Sequence, residues 1–190
     1  MSERAGRVRP SSTRIEALDL RSLFENHYAS IWRLLRRLGV SAAQLDDAAQ
    51  EVFWVAARRL PDIEPGREHP FLYGVALRIA ANESRRHRAM PPIAEIGQLP
   101  SMVDQGPSPE EEVAARQERE LLDDVLGRMP SDLRTVLVLF ELEGLEVRQI
   151  AEIEQIPVGT ASSRLRRARD EFSAIAKRVR AGLNAEGWNR

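Results

Sequence analysis

The chain has no cysteine, which excludes disulfide scaffolds, thiol catalysis and zinc sites built on cysteine. Its three histidines are far apart and no two have the spacing of metal ligands, so we expect no metal and no other cofactor. Aromatic residues make up only 5% of the 190 residues, which argues against a large β-sandwich. No apolar run approaches the roughly 20 residues of a membrane-spanning helix, so no membrane insertion is expected. Hydrophobic residues still make up 43%, and these absences leave a cytoplasmic, mostly helical protein with a packed core.

Positive charge is concentrated in two segments of the chain, although the formal net charge is only −1. Residues 78–88 contain four arginines and one acid, and residues 157–180 contain seven basic residues and two acids. Between them, residues 89–115 contain five acids and no base. All but one of the 28 basic residues are arginine, whose guanidinium is a forked and permanently charged donor. This segregation favours a nucleic-acid partner, which the net charge alone would argue against.

Apolar residues at helical spacing predict three helices in the first part of the chain, at residues 18–38, 41–60 and 71–88. Gly39 is expected to end the first helix and Ser41 to cap the second. The segment 61–70 contains three prolines and a glycine, and is therefore predicted to be a loop rather than a helix.

Composition divides the chain into two domains. Residues 1–14 are polar and arginine-rich, which predicts a disordered basic arm ahead of a first domain at residues 15–89. Residues 90–109 contain five prolines and are otherwise acidic and polar, which predicts a flexible linker. A second domain at residues 110–182 is then followed by a tail at residues 183–190. The predicted fold class is all-α, with two small helical domains joined by the linker.

Helical spacing in the second domain predicts four helices, at residues 110–128, 131–143, 147–154 and 158–180. Ser131 is expected to cap the second of these and Gly144 to end it, and a turn at residues 155–157 joins the last two. Two helices joined by a short turn, the second of them basic, form the helix-turn-helix arrangement of DNA-binding proteins.

The last predicted helix has an apolar face and a basic face. At about 100° per residue, its apolar stripe consists of Ala161, Leu165, Ala168, Phe172, Ile175 and Val179, which we expect to be buried. The candidate DNA-binding residues near its start are Thr160, Ser162, Ser163, Arg164, Arg166 and Arg167. Arginine can bridge O6 and N7 of guanine in the major groove, and serine can reach bases or phosphates. A solvated basic helix with no DNA role is the alternative that this face leaves open.

A longer pattern surrounds this helix-turn-helix. The residues Glu143–Leu145, Ile150–Ile153 and Ile156–Arg169 follow one another in a register that resembles the C-terminal promoter-binding domain of bacterial extracytoplasmic-function sigma factors. The resemblance implies that residues 110–182 are a region 4-like domain that binds the minus-thirty-five promoter element. Relatives often have glycine where this chain has Gln155, and a left-handed glutamine there costs about 1 kcal/mol.

Trp54 lies on the outer side of the second predicted helix, among Asp47, Gln50 and Glu51. A tryptophan with a polar rim has the profile of a protein-interface anchor. The alternative is that the first helix or the basic arm covers it. The stretch from Asp46 to Leu60 resembles the sigma-factor segment that docks on the clamp helices of the polymerase β′ subunit. The positions that match its pattern, with Trp54 added, are the candidate core-polymerase residues Asp47, Gln50, Glu51, Phe53 and Trp54.

The third predicted helix resembles the family's helix for recognition of the minus-ten element and strand opening, which makes residues 15–89 region 2-like. The resemblance implies that the preceding loop, residues 62–70, captures an extruded base. Phe71 and Tyr73 are the nearby rings that could stack on unpaired bases, with helix packing as their alternative role. The candidate minus-ten residues are Phe71, Tyr73, Arg78, Arg85, Arg86 and Arg88. Of these, the last three arginines are expected to grip phosphates.

The residues and the resemblance together predict an alternative sigma factor, without catalysis, that directs RNA polymerase to a subset of promoters. Its expected partners are promoter DNA, the β′ clamp helices and β flap of the core enzyme, and an anti-sigma factor. Another kind of helix-turn-helix regulator is the alternative. An enzyme acting on nucleic acid is not supported, because the sequence has no GxxxxGK[ST] loop and no metal-spaced acidic or histidine cluster.

Overall fold

The computed structural model describes residues 19–89 and 109–185, and places side chains for residues 19–86 and 116–182. Within these ranges the chain is all-helical. The first half consists of α1 (Leu20–Arg37), α2 (Leu45–Arg58), a single 3-10 turn (Leu60–Asp62) and α3 (Glu68–Ala89). The second half consists of α4 (Pro109–Gly127), α5 (Ser131–Leu137), a π-helical turn (Val138–Leu142), α6 (Val147–Glu154) and α7 (Val158–Ala185). The predicted arm and nearly all of the predicted linker lie outside the described residues.

The start and end of α1 follow from its sequence. The Asp19 side chain accepts a hydrogen bond from the Ser22 backbone N–H at 3.2 Å, which caps the first turn. Gly39 follows the last turn with a φ of 91°, a left-handed conformation that glycine adopts without steric cost. The prediction that Gly39 ends this helix is therefore confirmed.

The start of α2 differs from the prediction. Ser41 does not cap it, because its hydroxyl donates to the Gln44 side chain at 2.8 Å, and α2 begins at Leu45 after one turn. The predicted loop at 61–70 also contains more helix than expected. It overlaps the 3-10 turn and the first turn of α3, where Pro70 is tolerated because a first-turn N–H has no helical acceptor.

The second half contains a break that periodicity did not reveal. The predicted helix at 131–143 is α5 followed by the π-helical turn, in which the Glu143 N–H donates to the Val138 carbonyl at 3.1 Å. Ser131 is the first residue of α5 and forms no side-chain cap, since the N-cap is Pro130. Gly144 then ends the segment with a φ of 69°.

The helix-turn-helix forms as expected. The prediction for α6, residues 147–154, matches the structure at both ends. Gln155 follows it with φ 56° and ψ 43°, so the left-handed turn expected at this position is occupied by glutamine. The Ile156 N–H closes the turn by donating to the Ala151 carbonyl at 3.0 Å, and α7 starts two residues later.

The hydrophobic core is continuous across both halves. In the first half α1, α2 and α3 pack on one another, and in the second half α7 packs on α4, α5 and α6. The predicted stripe of α7 is buried, apart from Phe172, which is partly buried. Helix α3 also contacts α6, and α1 contacts α4, so the two halves lie against each other.

Candidate nucleic-acid and protein interfaces

The start of α7 presents an open basic surface. Ser162, Ser163, Arg166 and Arg167 are all exposed. The Ser163 hydroxyl donates to the Thr160 carbonyl at 2.9 Å, which leaves its oxygen able to accept another bond. Among the described residues neither Arg166 nor Arg167 has an ion-pair partner, so both guanidinium groups are free to contact another molecule.

Arg164 has a different role from its neighbours. It forms ion pairs with Glu154 at 3.4 Å and Asp132 at 3.9 Å, and its side chain is only 26% exposed. Burial raises the pKa of Glu154, and the positive charge of Arg164 opposes that shift. Arg164 therefore joins α7 to α6 and α5, and its DNA contact stays a prediction.

Trp54 is 68% exposed on the outer face of α2. Asp47, Gln50, Glu51 and Arg58 surround it and line a shallow depression. None of the described helices covers the ring. We call this surface, Trp54 with Asp47, Gln50 and Glu51, the α2 face.

Phe53 does not belong to the α2 face. It is 5% exposed, and its ring lies 4.9 Å from that of Phe24 and 6.0 Å from that of Tyr28. The prediction that Phe53 contacts polymerase is corrected, because successive helical residues differ by about 100° in direction and this one points into the core.

The rings at the start of α3 are less accessible than predicted. Phe71 is half-buried, with the Arg59 guanidinium 5.7 Å from its ring centre. Tyr73 is 2% exposed, and its hydroxyl donates to Oε2 of Glu143 at 2.7 Å. Burial and this carboxylate raise the pKa of the Tyr73 phenol well above its usual range. Tyr73 therefore cannot stack on a base in this conformation, which corrects its predicted role.

The arginines of α3 whose side chains the structure describes lie on its surface. Arg78, Arg85 and Arg86 are exposed, and the side chain of Arg88 lies outside the described residues. Arg85 donates to the Asn82 side chain at 2.6 Å, and Arg86 donates to Glu83 at 3.0 Å. Their remaining donors face solvent, as phosphate-binding groups require.

Sequence reasoning missed the polar contacts between the halves. Glu143 accepts from both Arg37 and Tyr73, which lie 106 and 70 residues away in the chain. Arg36 pairs with Asp123 at 2.7 Å. Local spacing carries no signal for contacts at such separations, although Glu143 lies in the motif that carries the family resemblance.

Comparisons with known proteins agree with this geometry. The family model "Sigma-70 region 2" matches residues 23–90, and "Sigma-70, region 4" matches residues 119–172. The RNA polymerase sigma-H factor of Pseudomonas aeruginosa is 31% identical over 162 residues, covering 81% of this chain and 83% of the relative. The ECF RNA polymerase sigma-E factor of Haemophilus influenzae is 33% identical over 139 residues, covering 69% and 74%.

Two solved structures have a similar fold. CnrH in complex with the cytosolic domain of CnrY gives a TM-score of 0.62 at 23% identity, covering 83% of this chain and 87% of that one. The sigma factor RpoE in complex with the anti-sigma factor NepR, from Bartonella quintana, gives 0.65 at 17% identity, covering 84% and 97%.

The two matched regions and the helix-turn-helix define a class of transcription initiation factors built from two helical regions. The chain belongs to the sigma-70 family of RNA polymerase sigma factors, in its extracytoplasmic-function group. It is an alternative sigma factor that directs transcription initiation, and it is not an enzyme. None of the helices in the described ranges is long and apolar enough to span a membrane.

Proposed function

We propose that the exposed surface at the start of α7 reads the minus-thirty-five element, that α3 contacts the minus-ten element, and that the α2 face binds core polymerase. The observation that carries this proposal is the pair of exposed, unpaired arginines, Arg166 and Arg167, on a helix whose opposite face is buried. The protein then acts in the cytoplasm, where polymerase and chromosomal DNA meet.

The α7 surface suits a major groove because its donors are forked and its flanking side chains are short. A helix fits the groove only if small residues near its start allow close approach, and Ser162 and Ser163 provide that. Because Arg164 pairs with Glu154, we propose that Arg166 and Arg167 provide the base specificity. Each arginine that binds a guanine in bidentate fashion contributes about 1–3 kcal/mol of discrimination.

The α2 face suits a basic protein partner. Its exposed acids, Asp47 and Glu51, lie beside a tryptophan that can insert into an apolar pocket. The β′ clamp helices, whose arginines the family resemblance brings to this position, are the proposed partner, with the β flap as a second contact for the region 4-like half. The structural neighbour RpoE, solved in complex with the anti-sigma factor NepR, supports an anti-sigma partner for this chain as well.

In the region 2-like half, Arg78, Arg85 and Arg86 are proposed to hold the phosphates near the minus-ten element. Of the two rings predicted to stack on bases beside the loop at 62–70, Phe71 is half-buried and Tyr73 is buried, so Phe71 remains the candidate. In this proposal the arginines position the protein on the phosphates, and Phe71 contacts the bases.

Run-off transcription with purified core polymerase and a promoter library tests the proposal. Arg166→Ala and Arg167→Ala should each weaken promoter recognition by about 1–3 kcal/mol and relax the preference at one base pair. The matched control is Arg178→Ala, which removes an arginine that is 71% exposed farther along the same helix and should leave the preference unchanged.

Two outcomes would change the assignment. A uniform loss over all promoter sequences would make the two arginines phosphate contacts rather than base readers. If both variants keep the wild-type footprint and base preference, the start of α7 is not the DNA-reading surface.

A further inference from the structure

We propose that a cavity between α2 and α3 binds a free guanine nucleotide, and that Glu83 recognises its base. The cavity has a volume of about 340 Å³, which is at the lower end of the range for small-molecule sites, about 300–1,000 Å³. One wall is formed by Glu51 of α2. The other wall belongs to α3 and consists of Ile79, Asn82, Glu83, Arg85 and Arg86.

Glu83 is unusual because it is a buried acid with an incomplete set of partners. The residue is only 8% exposed, and its Oε1 accepts from the Arg86 guanidinium at 3.0 Å. Its other oxygen, Oε2, is shielded from solvent and has no hydrogen-bond donor among the described residues. A buried acceptor without a donor costs free energy, because the water that it lost is not replaced. A ligand that donates to this carboxylate would recover that free energy.

The other polar groups of the α3 wall lie beside this carboxylate. Ile79, Asn82, Glu83 and Arg86 are spaced i, i+3, i+4 and i+7, and therefore share one side of the helix. The Asn82 side-chain oxygen accepts from Arg85 at 2.6 Å, which leaves its amide N–H groups available as donors in the described part of the chain. The wall thus offers a carboxylate acceptor next to an amide donor, with guanidinium groups nearby and an apolar side chain one turn earlier.

Guanine is the base that matches this arrangement best. One edge of guanine carries O6, N1–H and the N2 amino group in a row, so it presents two neighbouring donors followed by an acceptor. Two parallel donors can bind both oxygens of one carboxylate, as an arginine does, and O6 can accept from the Asn82 amide. Adenine and cytosine have one amino group beside a ring acceptor, and uracil has a single imino donor. None of these three can satisfy both oxygens of Glu83 in this way.

Arg86 can exchange the carboxylate for a phosphate. Its side chain is 76% exposed, whereas that of Glu83 is 11% exposed, so the arginine can move while the acid stays in place. The guanine edge would replace Arg86 on Glu83, and Arg86, with Arg85 beside it, would bind the phosphates of the same nucleotide. Arginine binds phosphate through charge-assisted, often bidentate hydrogen bonds. Every charged group of the α3 wall then has a partner.

Glu51 connects the cavity to the α2 face. It is exposed and has no ion-pair partner among the residues that the structure describes, and a carboxylate at this distance from a base pocket can accept from ribose hydroxyls. Glu51 also lines the depression at Trp54. Nucleotide and core polymerase should therefore compete for the free chain, and by linkage each should weaken the other by the same factor. This consequence rests on the function proposed above, whereas the nucleotide site does not.

Titration calorimetry of the full chain with GTP, ITP and ATP at matched ionic strength tests the site. ITP differs from GTP only in lacking the N2 amino group, so GTP should bind roughly tenfold or more tightly than ITP, and ATP should bind no better than ITP. Because this comparison uses the unmodified chain, it does not depend on the folding of any variant.

Two substitutions test the residues. Glu83→Gln leaves one acceptor where there were two and should lower GTP affinity by roughly tenfold. The matched control is Glu25→Gln, an exposed acid on α1 that should leave the affinity unchanged. Arg86→Ala should weaken GTP binding but strengthen guanosine binding, because guanosine has no phosphate and would find Glu83 without its competitor. Circular dichroism and thermal melting identify any variant that fails to fold.

The outcomes separate the site from the proposed function. Equal binding of GTP, ITP and ATP would show that the arginines hold phosphates only, and would overturn the guanine site, as would no binding at all. A single-stranded thymidine oligonucleotide with one guanine that binds more tightly than GTP would move the guanine to a DNA strand and overturn the free nucleotide. GTP, but not ATP, should weaken core-polymerase binding several-fold. If the chain binds no core polymerase, the proposed function fails, while the calorimetry still decides the site.

Discussion

Trp32 and Trp54 lie on neighbouring helices in opposite surroundings. Trp32 is half-buried, and its indole N–H donates to Asp46 at 2.9 Å. Trp54 is 68% exposed and has no hydrogen-bond partner among the described residues. A large exposed aromatic ring with polar neighbours contributes little to the stability of the fold. Such a ring is typical of a protein–protein interface. The two residues therefore provide a matched pair for separating binding from stability.

We expect Trp54→Ala to weaken core-polymerase binding by about 2 kcal/mol or more, because truncation of a central interface tryptophan removes its contact with the partner. The melting temperature should change little, since the side chain is mostly exposed. Trp32→Phe should show the reverse, with a lower melting temperature and unchanged affinity. Binding is measured by fluorescence anisotropy with labelled sigma factor. Unaltered affinity of Trp54→Ala would remove the α2 face from the polymerase interface.

At single residues, sequence reasoning succeeded where the cause is local. The exposed position of Trp54 follows from spacing along one helix, and the left-handed turn at Gln155 follows from the family resemblance, in which glycine often occupies that position. It failed for Tyr73, and it did not reveal the ion pairs of Arg164, because the partners of both residues come from other elements. An aromatic residue or an arginine at a given helical position has the same local pattern whether it faces DNA or another helix.

Helix ends account for most of the errors at the scale of elements. Both serines chosen as caps, Ser41 and Ser131, lie near a helix start but form no capping bond. The π-helical turn after α5 adds one residue to a turn, and hydrophobic periodicity cannot distinguish that from continuous α-helix. Glycine predicted helix ends more reliably than serine predicted helix starts. Gly39 and Gly144 both follow a helix in the left-handed conformation, which few other residues adopt.

The loop between α1 and α2 makes a contact that tests the junction of the halves. Gly39 has a φ of 91°, and a Cβ there would collide with the guanidinium of Arg134 from α5. Gly66 has a φ of 85° but has nothing within 4 Å of an added Cβ. Gly66→Ala should therefore cost only backbone strain, about 1 kcal/mol, whereas Gly39→Ala should cost slightly more, because the end of the Arg134 side chain must also move aside.

Urea denaturation of the full chain measures both substitutions. The informative quantity is the difference between them, because the strain is common to both positions. Equal losses of unfolding free energy would show that the Arg134 guanidinium does not restrict the α1–α2 loop at Gly39.

For the whole molecule, the all-α class and the two helical parts were predictable because helical periodicity and family motifs are local features. The packing of the halves was not. It depends on Arg36, Arg37 and Arg67 meeting acids that follow the segment at 90–108. Composition predicted two basic surfaces and an acidic connection, but it could not show that arginines of the first half pair with Asp123, Glu143 and Glu152 of the second.

Because arginines of the first half pair with acids of the second, we expect a salt-dependent coupling energy between the halves. The Arg36–Asp123 pair measures it independently of Glu143. Their 2.7 Å pair is partly exposed, and burial raises the pKa of Asp123 while Arg36 opposes the shift. A double-mutant cycle with Arg36→Ala and Asp123→Ala should give a coupling energy of about 0.5–1 kcal/mol in urea denaturation at low salt. It should fall towards zero in 1 M salt, where the screening length is about 3 Å.

The control cycle uses Arg21 and Glu25, an exposed pair at 2.8 Å within α1, and should give at most about 0.5 kcal/mol. Because that pair lies in one helix, its coupling reports local electrostatics only. The Arg36–Asp123 cycle reports α1 against α4, and it is nonzero only if the two halves meet in solution as they do in the structure. A coupling of zero at low salt, alongside a normal control cycle, would remove the Arg36–Asp123 ion pair from the interactions that hold the two halves together.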